Sequence, residues 1–305
     1  MPDKSYLDWP FLEDHHRDLA NLLDAWTEKE IKPFEDDEDD VNALSKRFVR
    51  MLGEAGFLQY AVPAEYGGAH ESLDVRSLCI CRETLARTTG LADFAFAMQG
   101  LGSGAITMFG SAELKAQYLP GVLKGEIIPA FALTEPGAGS DAGALTSSAV
   151  EDGDDYILNG TKTFISNAGI ADFYCMFVRT SDDGARGLTC FVLDADTPGF
   201  ELVESLDVIA PHPLGTISMT NCRVPKSKML GKLGEGFKVA MSNLDIFRST
   251  VGAASLGFAR RALDEAVART KDRQVFGQPL SNFQFTQGKL ADMATEIDAS
   301  ALLIY

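Results

Sequence analysis

Apolar residues recur at helical spacing through the first part of the chain. Leu19, Leu22, Leu23 and Trp26 form one stripe. Phe48, Met51, Leu52 and Ala55 form another, ended by Gly56. Ser111 is placed to cap a helix carrying Leu114, Tyr118 and Leu119, with Glu113 near its positive end. Between these, Val62-Pro63-Ala64-Glu65-Tyr66-Gly67-Gly68 is rich in breakers and reads as loop, and the acidic run 35–40 as a solvated loop or helix start. From about residue 126 short strands between turns take over. Residues 156–158 and 161–165 flank Asn159-Gly160, two residues that tolerate positive φ, so a hairpin turn is predicted there. Residues 173–179, 188–193 and 200–203 are further strand candidates. Beyond about 234 the helical spacing returns in Phe237, Met241, Leu244, Val251, Phe258 and Ala262. Gly277 and Pro279 interrupt it, and a last helix is predicted from about 283 to 305.

The predicted fold is therefore an α+β multidomain chain. An all-α N-terminal domain (1–125) precedes a central antiparallel β domain (126–230) and a C-terminal helical bundle (231–305). The final helix ends in Ala301-Leu302-Leu303-Ile304-Tyr305. Two long helices cannot bury both apolar faces by themselves. The bundle is thus expected to be incomplete, covered by another chain or by residues beyond Tyr305.

Charge narrows the partners. Acidic residues number 44 and basic ones 27, a net charge of −17. That excess argues against nucleic acid, which needs a basic footprint, and against an anionic membrane surface. Apolar runs fall far short of the ~20 residues that span a bilayer. The N-terminus has neither an apolar h-region nor Arg enrichment, so no secretory or transit peptide is expected and the predicted location is cytoplasmic. Cys79, Cys81, Cys175, Cys190 and Cys222 have no disulfide-framework spacing and read as buried free thiols. His15, His16, His70 and His212 lack metal-ligand spacing, so no metal is expected; His15 and His16, among charged neighbours, read as solvated surface.

Gly137-Ala138-Gly139-Ser140-Asp141-Ala142 satisfies the G-x-G-x-x-G/A dinucleotide fingerprint. That fingerprint needs a helix to follow, and strand follows here, so the Rossmann reading is rejected. Two readings stay open: a flexible β-domain loop, or a loop whose glycines let backbone N–H groups approach an anionic or flat ligand.

The wider run from Phe131 to Asp141, Phe-Ala-Leu-Thr-Glu-Pro-Gly-Ala-Gly-Ser-Asp, resembles the flavin-binding signature of the acyl-CoA dehydrogenases. Further resemblances follow in family order: the loop at 62–68, the Asn159 to Ala168 segment, Leu230-Gly231 to Phe237, Arg273 to Gln284, and Leu290-Ala291-Asp292-Met293. They cover essentially the whole chain. The resemblance implies FAD held through Phe131, Leu133, Thr134, Gly139, Ser140, Phe164 and Ser166, with Arg273, Phe276 and Gln284 reaching the FAD of a neighbouring subunit. Ser166 stands where the family usually has Thr, and Phe164 where it has Trp. Ser140, Asp245 and Arg248 would hold the CoA part of the substrate; the last two are spaced to share a helix face.

The chemistry so implied is removal of an α-proton from an acyl-CoA thioester by a carboxylate base, with hydride passing from the β-carbon to the flavin. It gives a 2-enoyl-CoA, as in fatty acid β-oxidation, and electrons go on to an electron-transfer flavoprotein. In the family the base is a Glu beyond the equivalent of Tyr305, or a residue just before the Arg248 position. Phe247 occupies the latter and cannot take a proton, so the catalytic residue is unassigned. The chain is therefore expected to be truncated within its C-terminal domain, and the complete form to be a homotetramer, a dimer of dimers. Competing expectations are a catalytically silent FAD- or CoA-binding subunit, and a flavin oxidase or monooxygenase on the same fold.

Overall fold

The computed structural model describes residues 4–37 and 39–305, so Glu38 of the acidic run lies outside the described residues. Five helices come first: α1 (Asp14–Trp26), α2 (Val41–Glu54), α3 (Val75–Thr88), α4 (Gly90–Phe109) and α5 (Ala112–Leu123). Eight strands follow: β1 (Pro129–Ala132), β2 (Ser148–Asp152), β3 (Asp155–Ser166), β4 (Phe173–Arg179), β5 (Leu188–Asp194), β6 (Phe200–Ser205), β7 (Leu214–Pro225) and β8 (Met229–Leu230). The long α6 (Gly236–Asp272), a small hairpin of β9 (Gln274–Val275) and β10 (Gln278–Pro279), and α7 (Gln284–Ile304) complete the chain. No helix among the described residues is long and apolar enough to cross a membrane.

The chain divides into two compact units. One comprises Asp37–Leu73 and Phe94–Phe247. Its sheet runs β6-β7-β3-β2-β4-β5-β8, with β1 paired to β4. Pairing is antiparallel except for β1 with β4 and one bridge between Ser148 and Arg179. Phe173, Cys175 and Phe177 of β4 and Cys190 and Val192 of β5 meet Leu114, Leu119 and Val122 of α5 in a buried core. Asp40 and Ser111 cap α2 and α5 by accepting from the N–H groups of Ala43 and Leu114, and Gly56, in the left-handed region at φ 81°, follows the end of α2.

The other unit gathers the described chain up to Asp36, Asp74–Asp93 and Arg248–Tyr305. Asp74 caps α3, and Arg82 forms a two-pronged ion pair with Asp93 at 2.8 Å on each prong. Leu256, Ile297 and Ala301 join α6 to α7. All five cysteines are free and buried.

Three expectations are corrected. The turn lies at Gly153-Asp154, where Asp152 pairs with Asp155, and β3 runs unbroken through Asn159-Gly160. Gly160 serves a close approach instead: a Cβ there would stand 2.2 Å from Ser147 Oγ. Asn159 accepts from the Asn221 N–H through its side chain, so the pair marks a bulge against β7. Leu22 is 64% exposed, off the face of α1 that buries Leu19, Ala20 and Leu23. His16 is fully buried rather than solvated, because it has partners for both ring nitrogens. Its Nδ1 accepts from the Glu13 N–H, so Nε2 carries the proton and donates to Asp74 at 2.8 Å.

Candidate functional site

The glycine-bearing loop between β1 and β2 is fastened to β3 at both ends. The Thr163 N–H donates to the Thr134 carbonyl at 3.0 Å, and Lys162 Nζ donates to the Leu133 carbonyl at 3.1 Å. At the far end Ser147 lies against Gly160. Glu135 ties the two ends together. Its Oε1 accepts from Lys162 Nζ at 2.8 Å and from the Ser147 N–H at 3.0 Å. Its Oε2 accepts from the Thr146 N–H at 2.7 Å and the Thr146 hydroxyl at 2.8 Å. Burial would raise the Glu135 carboxyl, but the Lys162 ammonium and the N–H and O–H donors hold it down to about 2. Burial pushes the Lys162 ammonium down to about 8, against the opposing pull of Glu135. Arg179 adds a third tether, donating to the carbonyls of Leu145 at 2.8 Å and Gly143 at 2.6 Å.

This arrangement brings Leu133, Thr134 and the middle of β3 side by side. Phe131 sits on β1 with its ring 4.8 Å from that of Phe177, half inside the core. A register shift between Lys162 and Ile165 throws Phe164 out of the sheet, 62% exposed at φ 53°. A bulky side chain in the left-handed region costs on the order of 1–3 kcal/mol. The aromatic face so exposed suits a flat ligand. Ser166 ends the same strand, paired with Leu214 and partly exposed.

Gly139 and Ser140 lie exposed in the loop. Neither Gly137 nor Gly139 has a positive φ, and a Cβ on either would meet nothing within 4 Å. The fold itself does not require glycine there. Bare backbone facing outward fits a ligand that must approach closely, which favours the second reading of this loop. The residues present thus fit a flavin: open backbone, an exposed ring and a hydroxyl, all anchored on β3.

Asp245 and Arg248 are both exposed on α6, three residues apart. Phe247 between them is buried, 5% exposed. In the unit that includes Arg248, Arg273 follows α6, Phe276 forms the tip of the β9–β10 hairpin and Gln284 starts α7, all exposed. Phe276 is 92% exposed and, like Phe164, has a left-handed φ, here 51°.

Sequence reasoning assigned no role to Glu135, Lys162 or Arg179. A signal existed for Lys162: it shares strand parity with Tyr156 and Leu158, both buried, so a lysine there needs a buried acceptor.

Comparison with known proteins bears on the whole chain. Residues 13–126, 130–222 and 234–305 match the N-terminal, middle and C-terminal domain models of acyl-CoA dehydrogenase. A 3-(aryl)acrylate reductase of Clostridium sporogenes is 38% identical over 299 residues, 97% of this chain and 79% of its own. The structure of a glutaryl-coenzyme A dehydrogenase in complex with glutaryl-CoA superposes with a TM-score of 0.91 at 34% identity, covering 96% of this chain and 76% of that one. That of a glutaryl-CoA dehydrogenase from Mycobacterium smegmatis in complex with FADH2 gives 0.87 at 31% identity, covering 99% and 76%. With all three domain models matched in order on a fold of helices, sheet and helices, this chain belongs to the acyl-CoA dehydrogenase family.

Proposed function

We propose that the protein is an FAD-dependent dehydrogenase that converts an acyl-CoA thioester to its 2-enoyl-CoA, with an electron-transfer flavoprotein as acceptor. We place it in the cytoplasm, working as a homotetramer. The observation that carries this reading is the strained, exposed Phe164 beside an outward-facing glycine loop clamped to the same strand. FAD, when bound, supplies the hydride acceptor. The protein's own part is to hold it: Thr134 and Leu133 along one edge, Phe164 against the ring, and Ser166 offering a hydroxyl. Arg273, Phe276 and Gln284 extend to a second subunit's cofactor. Asp245 and Arg248, with Ser140, orient the CoA moiety, since a guanidinium suits an anionic ligand in a chain of net charge −17.

FAD titration of the apo-protein tests the cofactor. Ser166→Ala should weaken binding or shift the flavin spectrum, because a hydroxyl donor is lost. Anaerobic addition of acyl-CoA thioesters should then bleach the flavin absorbance. An unchanged spectrum and affinity in Ser166→Ala would remove that residue from the site.

Phe247 favours a second reading, a subunit that binds FAD and acyl-CoA without turnover. Its buried ring occupies the α6 position just before Arg248 and offers no proton acceptor. Tight binding of both ligands with no bleaching by any thioester would select this reading.

A further inference from the structure

Glu135 and Lys162 are 5% and 0% exposed, so neither presents a surface to a ligand. We infer that they are positioning residues for the flavin: their ion pair locks both ends of the loop carrying Thr134, Gly139 and Ser140 onto β3. The inference rests on the FAD reading above.

Three observations support it. First, the contacts are distributed over the loop and not concentrated on one another. Lys162 Nζ reaches the Leu133 carbonyl at 3.1 Å as well as Glu135 at 2.8 Å. The carboxylate spends its remaining capacity on Thr146 and Ser147, eleven and twelve residues further along. Second, the geometry leaves the loop little freedom. Thr134 is joined to Thr163, and Ser147 abuts Gly160 with no room for a Cβ. The ends are therefore held within four residues of one strand, while Gly137 and Gly139 between them remain open. Third, the pair is poorly explained as a device for stability. Burial makes the Lys162 ammonium give up its proton more readily than an exposed lysine does, even with a carboxylate in contact. Buried pairs of this kind recover little net stability from being formed. What it does provide is a single conformation for backbone that must meet a rigid, flat cofactor, and a site left loose by even ~1 Å loses much of its binding power.

The test compares the full chain with the double variant Glu135→Gln/Lys162→Met, both prepared as apo-protein and titrated with FAD. The amide oxygen keeps an acceptor for one of the two N–H groups, since those of Thr146 and Ser147 donate to different carboxylate oxygens, and the methionine keeps the volume. The apo melting temperature should stay within about 3 °C of the original, because the charges are removed together. The FAD dissociation constant should rise about tenfold or more. Amide exchange should quicken at Thr146, Ser147 and Thr163 while β4 and β5 keep their protection. Unchanged FAD affinity in the variant, with the original chain binding normally, would overturn the inference alone. Loss of FAD together with faster exchange throughout β4 and β5 would also overturn it, since the pair would then support the whole sheet. Failure of the original chain to bind FAD would overturn both this inference and the FAD reading.

Discussion

The ring of Phe247 fills the space that a side chain on Gly100 would take: a Cβ there would stand 2.7 Å from Cε1 of the ring. A Cβ on Gly104, one turn along α4, would stand 3.0 Å from the same ring and 2.0 Å from Asn243 Oδ1. Asn243 in turn donates to the Leu101 carbonyl at 2.8 Å, so α6 lies directly on the glycine face of α4. In an open helix Gly→Ala would gain about 1 kcal/mol. Here Gly104→Ala should lose ~1–3 kcal/mol by overpacking. Phe247→Ala should lose ~3–5 kcal/mol by leaving a cavity. Combining Gly100→Ala with Phe247→Leu should cost less than the sum of the two, because the smaller side chain makes room. Denaturant titration of the original chain, the four single variants and the double variant measures each value.

Phe276 and Gly277 occupy the two-residue tip of the β9–β10 hairpin, both with positive φ, at 51° and 79°. That is the backbone of a type I′ turn, where Asn-Gly is the preferred pair. Phe276→Asn should therefore stabilise the hairpin, by up to ~1 kcal/mol. It should also weaken FAD binding if the exposed ring serves the cofactor of a neighbouring subunit. Thermal melting and FAD titration should move in opposite directions; a gain in both would assign Phe276 no part in flavin binding.

Arg248→Ala should remove a charge-assisted contact to the CoA moiety, a loss of ~1.5–3 kcal/mol. The dissociation constant for an acyl-CoA thioester should rise by roughly 10- to 150-fold. FAD content should not change. Calorimetric titration of the holo-protein checks this.

Acid should weaken the fold in two stages. The His16 pKa is lowered from 6.5, first by burial, and its Nδ1 must stay unprotonated to accept from Glu13. Its folded form resists protonation, so its contribution is present above 6.5 and is lost as pH falls through the lowered value. Glu135 lies at about 2, below its ordinary 4.5. Its contribution is complete above 4.5 and drains away as pH falls from there towards 2. Asp74, capping α3 and bonded to Ser77 and His16, is held well below 3.8 against the effect of burial and acts in the same sense. His16→Gln should abolish the first stage and leave the second. Denaturant midpoints measured across the acid range distinguish the two.

Much of this protein was determined by its sequence alone. Period changes near residues 126 and 234 set helix, strand and helix in order, because side-chain spacing is a local property of backbone geometry. Ser111 as a cap, Gly56 as a stop and β4 as a strand follow from interactions within a few residues. Ordered motifs carried the family. Tertiary structure decided what depends on a distant neighbour. Asn159-Gly160 has the composition of a turn, yet β7 pairs along it and Ser147 presses against it, so it became a bulge inside a strand. His16 has charged neighbours in sequence, yet Asp74 arrives from 58 residues away to accept a hydrogen bond from its ring. The loop between β1 and β2 reads as open glycine. Its shape comes from Glu135 and Lys162, joined across 27 residues inside the sheet, where a charge is stable only if another part of the chain brings its partner.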